Sequence, residues 1–172
     1  MIRVLCGASI ALAIGLVAVP GQAHGGLSAG TLQVSVVGQV AHINATPPPE
    51  LFAQFDTNAD GELDEDEVGA QRAEMLSFFL SGLAIQNADG DQGEYILQDL
   101  ALPVHLHEDE TPYVRVTLRA QWAESPETLQ VDYAHAEVAP LRVSAMRPSG
   151  DAALRTTGQL DPEHPSIALF HR

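Results

Sequence analysis

Twelve consecutive residues carry the densest chemistry in the chain: Asp56-Thr57-Asn58-Ala59-Asp60-Gly61-Glu62-Leu63-Asp64-Glu65-Asp66-Glu67. A hard cation needs roughly six to eight oxygens at short range. Asp56, Asn58 and Asp60 offer side-chain oxygens at the first, third and fifth places. Gly61 lets the backbone turn sharply, so that Glu62 can offer its carbonyl oxygen. Asp64 stands at the ninth place, where a ligand commonly acts through a water. Glu67 closes the loop at the twelfth place, where both carboxylate oxygens can bind. Leu63 points back to the core, and Asp66 is not a ligand. The expected cofactor is calcium, whose loose shell accepts a bidentate Glu better than the magnesium octahedron does.

The ordinary alternative is a solvated acidic turn. One such turn stands at Asn87 to Asp91, without the length, glycine placement or closing Glu. In the longer loop, glycine, apolar residue and closing Glu coincide with apolar segments on both sides. Asp56, Asp60, Asp64 and Glu67 repel one another without a cation, so binding should order the loop and stabilise the fold. A single loop implies structural or modest-affinity binding, on the order of 10⁻⁴–10⁻³ M.

Seven histidines suggest a second metal chemistry: His24, His42, His105, His107, His135, His164 and His171. At a new N-terminus, the amine and imidazole of His24 would chelate copper or nickel. His105 and His107 fall on one face of a strand, where His42 or His135 could join them. Isolated strand and turn histidines are ordinarily polar surface, and a site without thiolates needs three or more ligands to converge. Catalysis is not expected. Ser144 and Ser149 lack a nucleophile-elbow context, and neither a phosphate loop nor a dinucleotide motif is present.

These groups must be exported and held. Arg3, the apolar run Val4 to Val19, the Pro20-Gly21 break and Gly21-Gln22-Ala23 follow the secretory-leader pattern, with cleavage expected before His24. The expected domains are a leader over 1–23 and one periplasmic or secreted domain over 24–172. Cys6, the only cysteine, would leave with the leader, so the remainder has no thiol or disulfide. No other stretch is long and apolar enough to cross a bilayer. The 172 residues carry 23 Asp and Glu against 8 basic residues, all Arg, for a net charge of −15. Such a field repels nucleic acid and anionic lipid and attracts cations. The 45% hydrophobic content argues against disorder, and 5% aromatics leave the core to aliphatic side chains.

Alternation predicts a strand over Thr31 to Ile43, with a bulge at Gly38. Thr46 is read as the cap of a helix that begins in Pro47-Pro48-Pro49 and contains Leu51, Phe52 and Phe55. A second helix is predicted over Glu65 to Ser81, with Val68, Met75, Leu76 and Phe79 on one face and Gly82 as its stop. Short strands follow at Leu83 to Gln86, Tyr95 to Leu106, Val114 to Trp122, Leu129 to His135, Leu141 to Arg147, Leu154 to Gly158 and Ile167 to His171. Their recurring turns suggest two packed antiparallel sheets.

The loop and its flanks resemble the EF-hand family over about a sixth of the chain. The expected fold class is α+β: a mainly antiparallel β-sandwich with one inserted helix–EF-hand loop–helix at about 48–81 and a β-rich remainder at 83–171. Ala23-His24, the loop and Leu160-Asp161-Pro162-Glu163-His164-Pro165 resemble a periplasmic domain that precedes the helices of nickel/cobalt permeases of the hydrogenase- and urease-accessory type. With the chain ending at Arg172, that resemblance implies an accessory metal-binding role rather than transport. Three functions follow as expectations: a calcium-binding protein whose ion is structural or sensing, a transition-metal delivery protein, or an acidic interaction module.

Overall fold

The computed structural model describes residues 29–102, 113–150 and 152–170. The chain is mostly β with a little helix, its strands arranged in two sheets. Elements run β1 (Gly30–Val37), β2 (Val40–Thr46), a 3-10 helix (Pro49–Phe55), α1 (Glu65–Ser81), β3 (Leu83–Asn87), β4 (Glu94–Ala101), β5 (Arg115–Gln121), β6 (Leu129–Tyr133), β7 (Leu141–Ser149), β8 (Ala152–Leu160) and β9 (Ser166–Leu169). The larger sheet has the order β4-β5-β2-β1-β7-β8, and the smaller β3-β6-β9. All pairings are antiparallel except β1 with β7.

Two local readings are corrected. Gly38 is not a bulge in one strand. It takes φ 59°, and the predicted strand folds into the β1–β2 hairpin, with Val37 opposite Val40. A glycine meets this left-handed requirement without a Cβ penalty. Thr46 caps no helix. It ends β2 opposite Thr31, and the segment after it is a 3-10 turn whose N-cap, Pro48, makes no side-chain cap bond. Consecutive prolines remove the N–H groups that an α-helical start would direct at a cap.

Alternation places Leu32, Val34, Val36, Ala41, Ile43, Ala45, Val116, Leu118 and Val143 on the inner side of the larger sheet. They share one apolar cluster with Ile85, Leu129, Val131 and Tyr133 of the smaller sheet and with Phe52, Met75 and Phe79 of the helical insert. Few large aromatics enter, so β-branched and Leu side chains supply most of the burial.

α1 is held at both ends. Asp64 Oδ1 accepts from Glu67 N (2.8 Å) and Glu67 Oε2 accepts from Asp64 N (3.3 Å), a reciprocal capping box. Gly82 ends the helix as expected, but not through a left-handed cap, since its φ is −100°. A Cβ there would overlap the His135 ring. That ring stacks on Phe78 at 4.6 Å, and its Nε2 donates to the Phe78 carbonyl oxygen at 3.1 Å. None of the helices is long and apolar enough to cross a membrane among the described residues. The expected leader over 1–23 lies outside the described residues.

Candidate metal centre

The loop joins two elements anchored to the same core. Phe52 and Phe79 are fully buried, one on each side of it. Phe55 packs edge-on against Phe78 at 5.9 Å, and Gln71 Nε2 donates to the Phe55 carbonyl oxygen at 2.8 Å. These contacts bring the end of the 3-10 helix alongside α1 and fix the separation that residues 56 to 64 must span. Leu63 packs against the core from within the loop.

Inside the loop, each predicted side-chain oxygen is oriented by a backbone N–H. Asp56 accepts from Ala59 N (2.6 Å) and Gly61 N (2.8 Å). Asn58 Oδ1 accepts from Asp60 N (2.8 Å), and Asp60 Oδ1 from Glu62 N (2.9 Å). Gly61 has φ 89°, the left-handed turn its type suggests, and Ala59 shares that region at 58°. A carboxylate oxygen with one such bond keeps a second acceptor direction. These bonds therefore order the chain and leave oxygen available.

Glu67 is the buried member, 7% exposed. Its Oε1 crosses the loop to Thr57 N (2.6 Å), Thr57 Oγ (2.8 Å) and Asn58 N (3.1 Å). The twelfth residue thus meets the second and third. The Thr57 hydroxyl is the largest cause holding this carboxyl below its ordinary range; loss of hydration opposes it, and the backbone donors of Thr57, Asn58 and Asp64 assist. Oε1 is saturated by three donors, so a bidentate role for Glu67 requires some of them to be exchanged for the ion. Thr57 is the residue sequence reading passed over. A hydroxyl two residues inside the loop is its only signal, because its partner lies ten residues on.

Asp56, Asn58, Asp60, Glu62, Asp64 and Glu67 therefore sit on one closed turn of chain. Still, among the described residues no three His, Cys, Asp or Glu side chains converge as a ready-made metal cluster. The carboxylates are arranged around backbone donors. The donor set, all oxygen with four carboxylates, fits a hard cation such as calcium and does not fit a thiophilic metal.

The histidines are dispersed. His42 lies on the outer side of the larger sheet, opposite Arg119. His135 is engaged at the end of α1. His164 Nδ1 lies 3.2 Å from Asp161 Oδ1 in an exposed turn. His24, His105, His107 and His171 fall outside the described residues. Compared with known proteins, the chain matches no protein-family model and no curated protein sequence.

Proposed function

We propose that this is an extracytoplasmic calcium-binding protein with one EF-hand-like loop, its ion buttressing a β-sandwich formed by the two sheets. Side-chain oxygens of Asp56, Asn58 and Asp60, the Glu62 carbonyl, Asp64 through a water, and Glu67 would hold the ion. The observation that carries this reading is the return of Glu67 to Thr57 and Asn58, which closes the loop at its twelfth residue. The sandwich is supported by the apolar cluster that both sheets share. Calcium would supply the positive charge that the loop's four carboxylates lack, and its binding energy would add to folding stability.

Calorimetric titration of two variants tests the assignment. Glu67→Gln removes a charge and an oxygen ligand and should weaken calcium binding sharply. Asp66→Asn lowers the charge equally, one residue away, and should leave binding nearly unchanged. Equal losses would mean that the loop attracts cations only as a diffuse acidic surface.

A further inference from the structure

Five strands of the larger sheet, β1, β2, β5, β7 and β8, contain no Asp or Glu, in a chain that has 23. They contain Arg115, Arg119, Arg142, Arg147 and Arg155, five of its eight Arg. Arg147 turns away, donating to the carbonyls of Pro126 and Glu127 and lying 4.5 Å over the Phe170 ring. The other four are exposed. Among the described residues, the one Arg–carboxylate pair is Arg72 with Asp99.

The register collects these residues into rows on the outer face. One row runs Arg119, His42, Ser35, Met146, Arg155 across β5, β2, β1, β7 and β8. The next runs Thr117, Asn44, Gln33, Ser144, Thr157 across the same strands, without a charge. Between the rows lies a groove of about 350 Å³, with Arg155 at one side and His42 toward the other. Three strand spacings separate those two residues, about 14 Å.

We propose that this groove binds a short acidic saccharide, a uronate-bearing disaccharide in size. Volume and span match two sugar rings, at the small end of ligand sites. Arg155 offers a planar fork for a carboxylate. Gln33, Asn44, Ser35, Ser144 and Thr157 present amides and hydroxyls that both donate and accept, as sugar hydroxyls require. Overall charge selects for size. A long polyanion meets the field of a −15 chain, whereas a short ligand confined to the groove places its carboxylate within about 8 Å, one screening length, of Arg155.

The test titrates the protein with digalacturonate while amide shifts are followed by NMR. Shifts in β1, β2, β7 and β8 at millimolar ligand are expected, with the neutral disaccharide galactobiose weaker. Arg155→Gln should lower digalacturonate affinity roughly tenfold, as for loss of a charge-assisted contact. Arg142→Gln, outside the groove lining, should leave it unchanged. The proposal fails if digalacturonate produces no shifts, if galactobiose binds equally, or if Arg155→Gln has no effect. Competition by inorganic phosphate at equal concentration would make the groove a bare anion site, and tighter binding to heparin would make the face a polyanion surface; either result overturns the saccharide assignment.

Discussion

The loop at 56–67 and the outer face of the larger sheet are opposites built on one core. The loop gathers seven carboxylates and one amide side chain within twelve consecutive residues. The sheet face gathers Arg115 and Arg119 from β5 and Arg142 and Arg155 from the β7–β8 hairpin, brought onto one face across β2 and β1. Like charges tolerate such crowding differently. In the loop they are close enough to repel, so backbone N–H groups or a cation must compensate. On the sheet, strand spacing keeps the guanidinium groups apart, and each can remain hydrated. The loop should therefore respond to ions and pH, and the face should contribute little to folding.

The largest expected effect would break the comparison by removing its shared support. Phe79 is fully buried on α1 and packs near Tyr133, with ring centroids 6.3 Å apart. Phe79→Ala should cost about 3–5 kcal/mol in denaturant unfolding. Loop and sheet should lose structure in one transition; separate transitions would show that the helical insert unfolds independently of the sheets.

Next in size is the response of the loop. Calcium at about a hundred times its Kd should add about 2.7 kcal/mol if only the folded state binds. Thermal melts should rise with calcium and fall with chelator, and a flat response despite measured binding would remove the structural role. Acid sharpens the same point. The folded-state pKa of Glu67 lies below its ordinary 4.5, so its contribution is complete above that value and is lost as pH falls through the lowered one. Thr57→Val removes the largest lowering cause and should move the Glu67 titration back upward, as carbon-detected NMR would record.

The smallest effect belongs to the sheet face. Arg142→Gln should change unfolding free energy by no more than about 0.5 kcal/mol and leave calcium affinity unaltered. A larger loss would mean that the exposed arginines are structural, and the contrast with the loop would disappear.

The sequence determined by itself whatever depends on near neighbours. The closed turn at 56–67 is legible because its acidic side chains, its Gly61 turn and its closing Glu67 lie within twelve residues, and backbone geometry converts that spacing into proximity. α1 is legible from its 3.6-residue period and Asp64–Glu67 cap, and the strands from their alternation. Tertiary structure decided what depends on pairing between distant segments. Gly38 reads as a bulge within one strand until Thr31 meets Thr46, and Thr46 reads as a cap until β2 claims it. Gly82 reads as a helix stop, while the His135 ring 53 residues later makes its missing side chain a steric need. The parallel pairing of Thr31 with Arg142 joins segments more than a hundred residues apart, and with it the acid-free face comes together. Alternation marks each of those arginines as outward-facing, but only the strand order and register make them neighbours.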